Sequence, residues 1–200
     1  MSFINILKKI PFDFGQGNLR KKTKGKLIAM EFIEIGKGKK ALDIGCRDGD
    51  QSKILESRGY KVTSIDIKKT YSKCKIVDVN KKLPFKKNYF DLIWCSEVIE
   101  HLDNPKKSLN DFRRILKKNG KMILTTPNSY FWLVDLLNFF GISPKRLQNP
   151  GHKYFFNYGD IKRIFPKAHI YGFFPYLFLK FKIKRFVGFL SPTFVIIEKS

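Results

Sequence analysis

A doubly wound α/β fold, a parallel sheet with helices on both faces, is what this sequence predicts, and three observations predict it. Apolar runs of strand length alternate with helix-length amphipathic stretches from residue 40 to residue 126, as parallel strands joined by crossover helices require. The first apolar run passes into a glycine-bearing turn that opens directly onto a helix, which is where open α/β sheets bind ligands. Each of the first three strands also brings an acid to the same sheet edge: Asp43, Asp66 and Asp78.

The elements follow in order. Residues 19–35 read as a helix because Leu27, Met30 and Ile33 interleave with Glu31 and Glu34 before Gly36 and Gly38 stop it. Strands are expected at 40–45, 61–67, 74–79, 89–95 and 121–126, and helices at 50–58 and 104–118. The second of these helices places Leu109, Phe112, Ile115 and Leu116 on one face and ends at Asn119-Gly120. Beyond Pro127 the pattern loosens to an aromatic-rich helix at 130–140, a Gly/Pro/Asn loop at 141–152, a short helix at 158–165 and strands at 168–174 and 193–198. The Phe/Lys-rich stretch 175–192 has no clear assignment from its pattern.

Composition narrows the class. Two hundred residues make one domain with a real core, and 43% apolar with 15% aromatic residues exclude a disordered chain. Three unpaired-looking cysteines, Cys46, Cys74 and Cys95, with three histidines exclude a disulfide scaffold and a structural zinc site, and no metal is expected. Forty Lys and Arg against 17 Asp and Glu give a charge of +23, which attracts polyanions. Nine of the 17 acids nevertheless fall within 41–100, so that stretch has a use for carboxylates. The first residues carry too short an apolar run for a secretory signal. The most apolar stretch, 170–179, is ten residues, half of the roughly 20 that a spanning helix needs. The expected location is the cytoplasm, with peripheral contact to an anionic membrane left open.

The first turn reads Asp43-Ile44-Gly45-Cys46-Arg47-Asp48-Gly49-Asp50. A dinucleotide site wants glycine at 45, 47 and 50, whereas this chain has Arg47 and Asp50. Carboxylates here repel a pyrophosphate and suit a ligand with ammonium and sulfonium groups, of which S-adenosyl-L-methionine is one. Asp50 reads as a helix cap, while Asp43, an acid inside an apolar strand, needs a ligand or partner to offset its desolvation. Asp66, about twenty residues on at the end of the second strand, stands where a carboxylate accepts from both ribose hydroxyls. Asp78 and the adjacent Val79 end the third strand, where a side-chain acceptor and a backbone N–H meet an adenine edge.

These residues resemble the class I S-adenosylmethionine-dependent methyltransferases, in particular the small-molecule, quinone-biosynthesis-like subgroup. The likeness covers about residues 38–128 and rests on Ala41-Leu-Asp43-Ile-Gly45 through Gly49, Ser64-Ile-Asp66-Ile67, Leu83-Pro84-Phe85, Phe90-Asp91 through Glu97-Val-Ile-Glu100-His101-Leu102, and Leu116-Lys-Lys-Asn-Gly120 through Pro127-Asn128. It implies a Rossmann-like sheet of seven strands with the last antiparallel. It also implies that Gly45, Asp66, Asp78, Val79, Cys95 and Ser96 touch the cofactor; Asp43, Cys46, Gly49 and Ile67 complete the expected cofactor site. The family's usual glycine is replaced here by Arg47. A single domain is expected over 1–200: an N-terminal helical segment (1–37), the cofactor-binding core (38–128), and a lid or substrate segment with the last two strands (129–200).

After the fourth strand the chain reads Cys95-Ser96-Glu97-Val98, not the Asn/Asp-Pro-Pro-Tyr turn in which N-methylating nucleic-acid and amide enzymes resemble one another. O-methylation of a small or lipid-linked hydroxylated acceptor is therefore expected. RNA, and a basic binding module without activity, are the alternatives. His101, one turn after Glu97, and His152, in a Gly/Pro loop beside aromatics, are the candidate bases. On a helix Leu179, Ile183, Phe186, Val187 and Leu190 would share one face, as in a lid helix or an interfacial anchor; the interleaved aromatic and basic residues also suit base stacking.

Overall fold

The computed structural model of the protein describes residues 23–174 and 181–200. Its strands are β1 (Lys40–Ile44), β2 (Lys61–Asp66), β3 (Cys74–Ile76), β4 (Phe90–Ser96), β5 (Leu116–Pro127), β6 (His169–Phe173), β7 (Lys182–Ile183) and β8 (Thr193–Lys199). They form one sheet in the order β3-β2-β1-β4-β5-β8-β6-β7. From β3 to β5 every pairing is parallel, and β8 enters antiparallel between β5 and β6. The doubly wound reading and the antiparallel last strand therefore hold. The sheet has eight strands rather than seven because Lys182 and Ile183 add an edge pair to β6.

Burial on both faces follows from the alternation along β4. Ile93 and Cys95 join the apolar layer under α3 (Pro105–Ile115), with Leu109 and Phe112, while Leu92 and Trp94 join the opposite layer with Ile28 and Ala29 of α1 (Lys24–Glu31) and Leu55 of α2 (Asp50–Ser57). Pro105 starts α3, and the Asn104 side chain accepts from Lys107 N at 3.0 Å, so the helix begins where its first orphan donors find a partner.

Several expected boundaries shift for identifiable reasons. Helix α1 ends at Glu31 and buries Gly25, Lys26, Ile28 and Ala29, leaving Leu27 41% exposed. Its buried face is thus rotated from the one its apolar residues predict; the part of the expected helix before residue 23 lies outside the described residues. The expected strand 74–79 stops at Ile76. Helix α3 passes into β5 at Leu116 with no intervening loop, because Leu116 pairs with Phe90 of β4. Asn119, at φ 65, and Gly120 then form an irregularity inside the strand instead of ending a helix. Beyond β5 lie α4 (Trp132–Phe139), the short α5 (Pro144–Leu147) inside the expected loop, α6 (Tyr158–Ile164) and α7 (Val187–Leu190). The single helical face over 179–190 does not form: Ile183 is in a strand, Phe186 is exposed and Val187 is buried. Leu179 lies outside the described residues. Among the described residues no helix is long and apolar enough to cross a membrane.

Candidate active site

The carboxyl ends of β1, β2 and β4 open onto a cavity of about 880 Å³. Its floor is the turn after β1. Gly45 sits at φ 75, and a Cβ there would lie 2.5 Å from the Val98 side chain, so only glycine lets the turn pass under Val98. The amides of Gly45 and Cys46 both donate to the Ile65 carbonyl, at 2.9 and 3.1 Å. Asp66 holds the far side of the turn: its Oδ2 accepts from Arg47 N at 2.9 Å and its Oδ1 from Lys68 N at 3.2 Å. Arg47 takes φ 45, a left-handed conformation that costs an ordinary side chain and that the Asp66 bond helps to hold.

Of the expected cofactor residues, Gly45, Cys46, Asp66, Ile67, Asp78, Val79 and Ser96 line this cavity, and so do both candidate bases, His101 and His152. Three do not. Gly49 is the α2 N-cap, at φ 80, pressed against the Tyr71 ring, where a Cβ would fall 2.6 Å from the ring atoms. Cys95, the penultimate residue of β4, is wholly buried, and burial pushes its thiol well above the usual range. Asp43 lies under the turn. Gly49 also holds the cap position assigned to Asp50, which is the first residue of the helix and lines the cavity.

Asp43 is fully buried; its Oδ2 accepts from Ser52 Oγ at 2.6 Å, Ser52 Oγ lies 2.7 Å from Ser64 Oγ, and Oδ1 has no partner. Burial pushes this carboxyl up to about 6, the Ser52 bond lowers it, and the nearby Asp66 charge raises it. Between about pH 4 and 6 the native protein therefore holds a proton that the unfolded chain has released, and stability falls as pH rises across that window. Asp43→Asn keeps an oxygen for Ser52 and removes the buried charge. The variant, free of cofactor, should be more stable than the parent by about 1–3 kcal/mol at about pH 7, with the gain vanishing near pH 4. Denaturant melts at the two pH values check this, and a gain that persists unchanged in the acid refutes the assignment.

The far wall contains groups that strand periodicity does not single out. Glu100 is 1% exposed; Thr126 Oγ1 donates to its Oε2 at 3.0 Å, while Oε1 is buried without a hydrogen-bond partner. Burial, reinforced by the Glu97 charge, holds this carboxyl well above the usual range. His152 presents Nε2 at 3.9 Å from Glu100 Oε1. The other ring nitrogen, Nδ1, lies 3.3 Å from Gln148 Oε1, which also accepts from Ser129 Oγ at 2.9 Å. Nδ1 is thus the protonated nitrogen and Nε2 carries the lone pair. Burial first, and His101 second, push the His152 imidazole down to about 4, so it is neutral over the neutral pH range. His101 Nδ1 donates to the Gly151 carbonyl at 2.9 Å, and the two rings meet edge to face at 4.8 Å. Glu100, His101 and His152 bring ligand atoms within 4.8 Å of one another, a set able to hold a metal ion that the sequence pattern, which predicts none, does not assemble.

Lys26 of α1 also lines the cavity, at 8% exposure, and its charge acts on both Asp43 and Glu100. Among the described residues, Asp48, Asp50, Asp66, Asp78, Glu97 and Glu100 outnumber the cavity's cations, Lys26, Arg47 and Lys68. The site is acidic inside a basic chain, which favours a cationic ligand and opposes a polyanion.

A family model described as a methyltransferase domain matches residues 18–170. The chain belongs to this methyltransferase family. A ubiquinone biosynthesis O-methyltransferase of Dechloromonas aromatica is 30% identical over 115 residues, 48% of this chain and 50% of that protein. A namesake from Coxiella burnetii is 30% identical over 120 residues, 52% of this chain and 51% of that protein. The chain thus spans about half the length of the curated relatives it matches. Among solved structures, a SAM-dependent methyltransferase from Archaeoglobus fulgidus superposes with a TM-score of 0.63 at 19% identity, covering 88% of this chain and 94% of that one. One from Mesorhizobium loti gives 0.66 at 11% identity over 90% and 99%. These likenesses show the fold. For this methyltransferase domain the family implies S-adenosyl-L-methionine as cofactor, and the residues present suit it: a glycine turn that a Cβ would block, a strand-end carboxylate, and an acidic cavity holding one buried lysine.

Proposed function

We propose that this methyltransferase domain methylates a hydroxyl oxygen of a small or lipid-linked acceptor. The observation that carries the reading is the pair His152 Nε2 and Glu100 Oε1, 3.9 Å apart, the first with a free lone pair and the second buried and unpartnered. A hydroxyl entering between them donates to Nε2 and lies beside the buried Glu100 carboxyl. The curated relatives are O-methyltransferases by name, which supports the same chemistry, and the acidic lining disfavours an RNA acceptor.

S-adenosyl-L-methionine, when bound, supplies an electrophilic methyl group. The chain's residues do the rest. Asp66 and Asp78 orient the nucleoside end, and Lys26 balances the ligand's carboxylate. His152 Nε2 takes the hydroxyl proton as the acceptor oxygen gains the methyl group, and the imidazolium that forms lies beside Glu100. Alignment and exclusion of water supply much of the rate in such a displacement.

Methyl-labelled cofactor incubated with the protein and fractionated cell extract tests the reading. Label is expected in a base-stable ether in the small-molecule or lipid fraction. Label recovered in RNA, or in a base-labile ester, overturns it.

A further inference from the structure

Residues 161–197 contain seven Lys and Arg and no Asp or Glu. Within them the chain makes an exposed aromatic knuckle. Phe186 is 76% exposed and adopts φ 55, a left-handed conformation that a bulky residue takes at a cost. Phe189, one helical turn on, is 62% exposed, and Phe181 is 53% exposed. Between them Val187 is buried, so the knuckle is anchored from below. A Cβ on Gly188 would lie 2.6 Å from the Tyr158 side chain, showing how closely α7 is seated. Lys184 and Arg185 flank the aromatics; Lys184 lies over the Tyr171 ring at 5.3 Å, and Lys182 pairs with Glu31.

We propose that this knuckle, residues 181–190, docks the protein on the surface of an anionic lipid bilayer. A left-handed backbone that holds Phe186 out into water, with Phe189 exposed beside it, is unfavourable for an isolated molecule, and apolar side chains set among cations match the boundary between acyl chains and anionic headgroups. This is not the interfacial helix expected from the sequence; a strand, a left-handed turn and one helical turn present the aromatics.

The placement also connects to the cavity. Asn128 Nδ2 donates to the carbonyls of Gly188 and Ser191, at 2.7 and 2.8 Å. The next residue, Ser129, donates to Gln148, which holds His152. The docking face is therefore tied through one loop to the wall of the active site. Docking stands on the knuckle's own geometry and charge and does not depend on the acceptor proposed above.

Co-sedimentation with sucrose-loaded vesicles tests it, using phosphatidylcholine alone or with about one-third phosphatidylglycerol. The protein should sediment with the anionic vesicles, poorly with the neutral ones, and less at about 0.5 M salt. The double variant Phe186→Ser with Phe189→Ser should weaken partitioning by about tenfold or more. Lys184→Gln with Arg185→Gln should weaken it by about tenfold, with cofactor affinity as the check that both variants are folded. The conservative Phe186→Trp should retain binding, and its added emission should shift to the blue on anionic vesicles alone. Equal sedimentation with neutral vesicles, a serine variant that binds like the parent, or a Phe186→Trp emission that does not move each overturns the proposal. So does capture by RNA that vesicles fail to compete.

Discussion

His152→Gln is expected to lower kcat by about 10²–10⁴-fold, the usual contribution of a positioned general base, while leaving cofactor affinity unchanged. The side chain is 5% exposed, its Nδ1 proton is committed to Gln148, and Nε2 opens to the cavity beside Glu100 Oε1. Because burial holds the imidazole down to about 4, it is already deprotonated over the neutral range. The parent's kcat should thus fall on acidification only as pH approaches about 4, not near the roughly 6.5 of an exposed histidine. Steady-state rates from about pH 4.5 to 8 check both statements. A loss below about tenfold in the variant, or a parent limb near 6.5, assigns proton acceptance to another group.

Asp66→Ala is expected to weaken cofactor binding by about 1.5–3 kcal/mol, or roughly 10- to 150-fold. Two losses combine in this one change. The carboxylate that would accept from the ribose is gone, and so are the bonds to Arg47 N and Lys68 N that hold the left-handed turn. Asp66→Asn separates them: the amide keeps one acceptor for the loop but a weaker one for the ribose, and should fall between parent and alanine variant. Calorimetry with S-adenosylhomocysteine reads the difference, and an unchanged affinity in the alanine variant removes Asp66 from the cofactor's reach.

The first half of the fold is legible in the sequence because its physics is local. β1 to β4 are short apolar runs punctuated by glycine and aspartate, and their spacing alone places Asp66 and Asp78 at one sheet edge. Leu116 cannot be placed that way: its neighbours favour continuing α3, and its strand conformation comes from pairing with Phe90 far back in sequence. Lys26 and Glu100 escape for a related reason. Charged residues are ordinarily solvated, so a helix face drawn from apolarity runs through Leu27 and away from Lys26, whereas the cavity wants the lysine inside. Asp43 shows the converse, since an acid in an apolar strand reads as facing a ligand when Ser52 and Ser64 already occupy that side of it. The stretch 175–192 carries no single period because strand, left-handed turn and helical turn follow within nine residues of one another over 182–190.

The insertion of β8 between β5 and β6 sets an order of events during synthesis. β6 emerges from the ribosome with no hydrogen-bonding partner in the sheet, since its neighbour on the β5 side is a strand that has yet to be made. The five parallel strands can assemble on the growing chain, but β5 keeps an open edge of seven register positions until residues 193–199 arrive. Helix α1 waits as well, because Gly25 packs so closely on Thr193 that a Cβ would lie 2.7 Å from its methyl group. The helix that delivers Lys26 to the cavity thus completes its seat, begun on β5 and β6, when β8 enters the sheet. A nascent chain stalled before residue 193 would expose two unpaired edges and lack part of its site, which links synthesis of residues 193–199 to competence for ligand binding.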